Sequence, residues 1–368
     1  MVKIPDFVQH LPTYQPGITP AELKTKYGLE RVAPLASNEN TLGASPKAVE
    51  AIRDAAKQLQ WYPDGACREV RQRLAEHVGV DAQNIAVGNG SEGVMSYVFK
   101  GLFDRGDELL TADCTFVAVF IWSAANNITL KKVPLNDDYQ FDLDRMLDSI
   151  TDSTRAIYLA NPNNPTGTMI SSTDMETFIE QVPERCLVIV DEAYYEFASE
   201  LSQNYADTLK WKYDNVITLR TFSKAYGMAG MRFGYGLGAE PLIRALNKMK
   251  LTFEPSGIAQ AAGKAALDDT EFLQRTLDNN HRGLQAWYRV LDDLSLNYVP
   301  SYGNFFMIDL ETEDEVNRVH DALLKHGVMT RSLRAYGMPH GLRITVGTEA
   351  DNIQAMDALK GSFTVNPF

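Results

Sequence analysis

Lys224 has the address in this chain that best suits chemistry. It stands in TFSKAYGMAGMR, between a β-rich run at residues 215–220 (NVITLR) and a glycine-punctuated loop holding Gly227 and Gly230. Most lysines ride solvated helix faces, whereas Phe222, Tyr226, Met228 and Met231 make this neighbourhood apolar. Burial disfavours an ammonium and moves its pKa down from about 10.4, as a Schiff-base lysine requires. Ser223 beside it and Arg232 further on supply a hydroxyl and a fixed cation, a pair suited to a dianionic phosphate. Taken alone, the stretch also reads as a surface loop with one lysine and a strand-end arginine.

Three more polar clusters stand where apolar runs stop. RAIYLA (155–160) enters Asn161-Pro162-Asn163-Asn164-Pro165-Thr166-Gly167, a turn-forming run that presents an asparagine amide. CLVIV (186–190), apolar on both faces and hence a central strand, enters Asp191-Glu192-Ala193-Tyr194. NIAVGNGSEG (84–93) reads as strand, glycine turn and helix start. Its Gly90-Ser91-Glu92 corner can hold an anion on free backbone N–H groups, or be an ordinary turn with Ser91 as N-cap. A carboxylate at the end of a buried strand is costly unless a cation or several donors meet it, and a protonated pyridine nitrogen is such a partner. The alternative for Asp191 is a strand end turned into water, and Tyr194 either donates to the same ligand or packs. Lys224, Asp191, Asn164 and a phosphate cradle at one sheet edge converge on pyridoxal 5′-phosphate.

The elements that must position these residues follow from the surrounding pattern. Strand-like and helical segments alternate for some 150 residues, which predicts a mainly parallel sheet covered by helices, with ligands at the carboxyl ends of its strands. Residues 1–45 read as an N-terminal arm and part of a small domain, 46–287 as a large cofactor-binding domain, and 288–368 as a smaller α/β domain.

Composition narrows the function classes. The chain has 368 residues, 45% hydrophobic, enough for a large core and two domains. A formal net charge of -13 argues against non-specific binding to nucleic acid or anionic membrane. The three cysteines, Cys67, Cys114 and Cys186, suggest neither a disulfide framework nor zinc, and the six histidines show no metal-ligand spacing. MVKIPDFVQHLP lacks an apolar core long enough for a signal peptide, and no run approaches a membrane span, so a cytoplasmic location is expected.

Six runs in order, LASNENTLGASP, YPDG, NPNNPTG, DEAYYEF, SKAYGMAGMRFGY and GLRITVG, resemble the class-II aminotransferases, and within them the histidinol-phosphate aminotransferases. The resemblance covers nearly the whole chain. It implies a fold-type-I, pyridoxal-phosphate-dependent transferase with a seven-stranded, mainly parallel sheet. Lys224 then carries the cofactor as a Schiff base, Asp191 pairs with the pyridinium nitrogen, and Asn164 and Tyr194 bond the ring 3′-oxygen. Ser223, Arg232 and Gly90-Ser91-Glu92 hold the phosphate, and Phe116 stacks on the ring. Tyr62 reaches the phosphate of a neighbouring subunit, which implies a homodimer.

On the substrate side, Arg343 resembles the arginine that fixes an α-carboxylate, Arg331 the one that meets a distal phosphate, and Tyr14 a tyrosine of the N-terminal arm reaching that phosphate. Asn38 is placed on the substrate too. Thr41 and Ser332 stand where the family usually has proline, and Arg334 adds a cation where a small residue is usual. The implied reaction is ping-pong transamination between L-histidinol phosphate and 2-oxoglutarate. An aromatic-amino-acid aminotransferase is the nearest alternative, and a threonine-phosphate-type decarboxylase a more distant one.

Overall fold

A computed structural model describes residues 2–9, 11, 17–210 and 213–363. Its strands, in chain order, are β1 (Ala33–Pro34), β2 (Ile85–Gly88), β3 (Glu108–Ala112), β4 (Thr129–Val133), β5 (Thr154–Ala160), β6 (Leu187–Asp191), β7 (Val216–Thr221), β8 (Gly234–Gly238), β9 (Asn297–Val299), β10 (Phe305–Asp309), β11 (Val328–Met329), β12 (Arg331–Ser332) and β13 (Gly341–Thr345). Seven of them form one sheet in the order β2-β8-β7-β6-β5-β3-β4, and only β8 runs against the rest. The aliphatic, β-branched runs of β5, β6 and β7 are buried along nearly their whole length, as strands with helices on both faces must be. Their carboxyl ends, Ala160, Asp191 and Thr221, therefore emerge side by side at one edge.

Glycine lets the helix Ser91–Gly101 lie directly on β8. A Cβ at Gly234 would sit 2.3 Å from the Ser91 nitrogen, and one at Gly236 would sit 2.7 Å from Val94 Cγ1. That close approach brings the helix N-terminus to the same sheet edge.

A four-stranded antiparallel sheet, β12-β13-β10-β9, and a two-stranded parallel pair, β1-β11, make up the remaining strands described. In the latter, Ala33 pairs with Val328. Around them Trp287, Phe306, Ile344 and Leu359 form a second apolar core that takes in Ala33 and Leu35 from the N-terminal segment. The 24-residue helix Thr270–Asp293 serves both cores: Leu273 and Leu277 pack on the large sheet's side, while Leu284, Trp287 and Leu291 belong to the second. Among the described residues no helix is long and apolar enough to cross a membrane.

Candidate active site

The ends of β5, β6 and β7, the helix start at Ser91 and the smaller sheet enclose a cavity of about 280 Å³. Thirteen of the residues singled out from sequence line it: Asn38, Gly90, Ser91, Glu92, Phe116, Asn164, Asp191, Tyr194, Ser223, Lys224, Arg232, Arg331 and Arg343. Tyr62 does not. It is 80% exposed and stacks on Phe253 at 4.3 Å. Tyr14 lies outside the described residues.

Lys224 follows β7 by three residues. Its Nζ donates to the Ser37 carbonyl at 3.2 Å and sits 5.8 Å from the centre of the Tyr194 ring. Burial lowers its amine to about 8, and the Arg343 and Arg232 guanidinium groups push the same way, against Glu39 and Asp191. Asp191, the last residue of β6, is buried. Its Oδ2 accepts from the Tyr158 hydroxyl at 2.8 Å, while Oδ1 is buried with no hydrogen-bond partner among the described residues. Burial pushes this carboxyl up to about 6, opposed chiefly by the Tyr158 hydrogen bond.

Tyr194 is held from one side. Asn38, in a left-handed backbone conformation with φ 55°, donates from Nδ2 to the Tyr194 hydroxyl at 2.9 Å. The Asn38 Oδ1 in turn accepts from Thr345 at 3.2 Å. The amide thus orients Tyr194 while its residue lines the cavity, with one Nδ2 hydrogen not used by the bond to Tyr194. The Tyr194 hydroxyl, in a residue that lines the cavity, donates no hydrogen bond among the described residues.

At the other end of the cavity the helix Ser91–Gly101 begins. Its N-cap is Gly90, with φ 79° and no side-chain cap, so the reading of Ser91 as N-cap does not hold: Ser91 is already the first helical residue. Uncapped N–H groups at a helix start favour an anion. Arg232 and Ser223 face the same space. The Glu92 carboxylate is 3.9 Å from Arg232 Nη2 and accepts from Trp122 at 3.2 Å. Its charge balances the arginine and would repel a phosphate, so only its backbone N–H can serve the cradle.

On the opposite wall Arg343, in β13, donates from Nη1 to Asn164 Oδ1 and from Nη2 to the Ala36 carbonyl. Arg334 turns away from the cavity and pairs with Glu313 at 2.6 Å on the surface. Sequence reasoning missed Tyr158, Glu39 and Thr221, all of which line the site. The signal for Tyr158 was available in principle: it lies two residues before Ala160 on the same side of β5, and so shares a face with Asp191 across the register.

The aminotransferase class I and II family matches over residues 30–359. The chain belongs to that family. It is 39% identical over 349 residues to a histidinol-phosphate aminotransferase of a Geobacillus species, covering 95% of each protein. It is 40% identical over 358 residues to the histidinol-phosphate aminotransferase of Bacillus velezensis, covering 97% of this chain and 99% of the relative. The crystal structure of histidinol-phosphate aminotransferase from Sinorhizobium meliloti in complex with pyridoxal-5′-phosphate superposes with a TM-score of 0.90 at 29% identity, over 99% of this chain and 98% of the other. The expected fold type and family are thereby met.

Proposed function

We propose that this chain is a pyridoxal 5′-phosphate-dependent aminotransferase that moves an amino group between L-histidinol phosphate and 2-oxoglutarate, as a step of histidine biosynthesis. The observation that carries the reading is the pairing, in one cavity, of a lysine whose amine is lowered to about 8 with a buried carboxylate oxygen that lacks a donor. The full-length likeness to histidinol-phosphate aminotransferases supports the choice of substrate.

The residues present suit that cofactor. Asp191 Oδ1 is an orphaned acceptor for a ring N–H. Gly90 leaves room that a side chain would fill, since a Cβ there would lie 3.0 Å from Arg232 Nη2. Asn164 and Tyr194 would hold the ring 3′-oxygen, Phe116 the ring face, and Ser223, Arg232 and the amides of Gly90, Ser91 and Glu92 the phosphate. When bound, the cofactor supplies an electron sink for charge developing at the substrate Cα.

The protein's own groups then have distinct tasks. Lys224 Nζ, neutral above about pH 8 and partly so below it, would take the proton from the donor's Cα and deliver it to the cofactor within the same half-reaction, and carry a proton the opposite way, onto Cα of the acceptor, in the other. Asp191 keeps the ring nitrogen's proton in place. Arg343 offers a planar fork to the carboxylate of glutamate and 2-oxoglutarate, while Arg331, with Tyr14, receives the distal phosphate. Asn38 aims the Tyr194 hydroxyl and meets the substrate from the cavity wall.

The enzyme is cytoplasmic and works as a homodimer in this reading. Leu59, Trp61, Tyr62, Leu251 and Phe253 are exposed together, which supports a covering subunit whose phosphate Tyr62 reaches. The chain divides at about residues 45 and 287, the helix Thr270–Asp293 bridging the large and small domains.

The test is a half-reaction. The purified holoenzyme is mixed with L-histidinol phosphate, or separately with L-phenylalanine, and loss of the cofactor's visible absorbance is followed. Histidinol phosphate should act at least about a hundredfold more efficiently, because buried cations left unpaired penalise an analogue without the phosphate. Equal efficiency would favour an aromatic aminotransferase. If neither reacts, both readings fail, and carbon dioxide release from an amino-acid phosphate becomes the assay.

A further inference from the structure

On the cofactor reading above, we propose that Tyr158 is a positioning residue: its hydroxyl holds Asp191 anionic and in one orientation, so that Oδ1 alone is presented to the cofactor's ring nitrogen. Tyr158 lies in the middle of β5 and is fully buried. Across the parallel register it stands opposite Ile189, two residues before Asp191, which puts phenol and carboxylate on one face of the sheet. They meet at 2.8 Å through Oδ2. The two oxygens of one carboxylate are thus divided: Oδ2 is taken by Tyr158, while Oδ1 is buried without a hydrogen-bond partner among the described residues, in a side chain that lines the cavity.

The division has consequences for charge as well as geometry. A buried carboxylate in an apolar surround tends to pick up a proton, and a hydroxyl that donates to its anionic form opposes this. Tyr158 can fill only the donor role, because burial and the neighbouring Asp191 keep the phenol from ionising. Without it, only the Ala193 backbone N–H would still act as a donor to Asp191, so the carboxyl would protonate more readily and be less firmly oriented, and either change weakens its hold on a ring N–H. The other charged or titratable groups facing Asp191 are Glu192 beside it, Glu92 on the helix Ser91–Gly101, and Tyr194 and Lys224 across the cavity.

The competing account is that Tyr158 merely fills the core between the sheet and the helix Ser91–Gly101, where it packs with Val94, Val98 and Ile189. Tyr158→Phe separates the two, since the ring stays and only the donor is lost. Wild type, Tyr158→Phe, Asp191→Asn and the double variant are stripped of cofactor, and each apoenzyme is titrated with pyridoxal 5′-phosphate from pH 5.5 to 8.5, with binding followed by quenching of intrinsic fluorescence. Tyr158→Phe should weaken binding at neutral pH by about tenfold to a hundredfold, the usual range for a hydrogen bond to a charged group. The acidic limb of its affinity profile should move to higher pH. In the Asp191→Asn background the same substitution should change affinity by less than about twofold, because two residues acting through one contact are not additive.

Unchanged affinity and an unchanged acidic limb in Tyr158→Phe would overturn the proposal while leaving the cofactor reading intact. An equal loss in both backgrounds would overturn it too, showing a packing role. A wild-type apoenzyme that takes up no cofactor would overturn both.

Discussion

Asn164 Oδ1 accepts a hydrogen bond from Arg343 Nη1 across a separation of 179 residues. One residue lies in the turn after β5 and the other in the middle of β13, so this buried contact ties the large sheet's carboxyl edge to the smaller sheet. Arg343 Nη2 also donates to the Ala36 carbonyl at 2.8 Å, and Nε has no partner among the described residues. A guanidinium that spans two structural layers and uses only two of its five N–H donors in these bonds is suited to receive a substrate carboxylate.

Arg343→Ala should therefore lower kcat/KM for glutamate by at least about a hundredfold, since it removes the carboxylate's partner and strips Asn164 of its donor. Arg343→Lys should recover little, because a point charge cannot serve both carbonyl-type acceptors and a planar anion. Steady-state kinetics with each variant decide this, and a lysine variant close to wild type would refute the fork geometry.

The charge state of Asp191 leaves a signature in the stability of the cofactor-free chain. Its carboxyl is raised from an ordinary 3.8 to about 6, so the folded state binds this proton more tightly than the unfolded state. The ionised form then costs stability above pH 6, and that cost fades as pH falls through 6 and is gone below 3.8. Asp191→Asn carries no such cost. Urea midpoints should show the variant gaining on wild type by roughly 2 kcal/mol between pH 4 and 6.5, then running parallel. A gap independent of pH would contradict the raised carboxyl.

Arg220 supplies a third test. It is buried, with Nη2 2.7 Å from Glu192 and 3.0 Å from Asp207, and its guanidinium lies over the Tyr195 ring at 3.3 Å. Arg220→Met should destabilise the fold by about 3 kcal/mol or more, because it leaves Glu192 buried without a counter-ion. Equilibrium denaturation reads this directly, and a loss below about 1 kcal/mol would mean the pair is not enclosed as described.

Gly90→Ala should weaken cofactor binding with little effect on global stability. Its φ of 79° disfavours a side chain, and the new methyl would press on the Arg232 guanidinium at 3.0 Å. The readout is equilibrium dialysis with pyridoxal 5′-phosphate, where an affinity equal to wild type would remove the corner from the phosphate cradle.

Much of this arrangement was legible from the chain, for a definite reason. CLVIV is apolar on both faces, which marks it as a central strand, and it, RAIYLA and NVITLR are each followed by polar residues that a buried sheet edge would not tolerate without a ligand. What stayed hidden depends on pairings between distant segments. Tyr158 reads as one more large residue in a buried strand, since nothing local shows that its hydroxyl meets Asp191. The amide of Asn38 meets Tyr194 and Thr345, and Arg334 pairs with Glu313 at the start of the helix Glu313–Lys325. The Ser91 hydroxyl suggested a cap, yet the glycine before it takes that position because only there does the backbone need a positive φ.

The pairing of β1 with β11 bears on how the protein is made. Ala33 leaves the ribosome early, but its partner Val328 follows roughly three hundred residues later, which at common elongation rates is tens of seconds. During that interval the strands of the large sheet can already assemble, whereas the segment holding Ser37, Asn38 and Glu39 still lacks the β-strand that fixes it. The part of the cavity built on the large sheet can therefore be in place before the part that needs β1 and the smaller sheet, and β1 spends the wait without its partner strand.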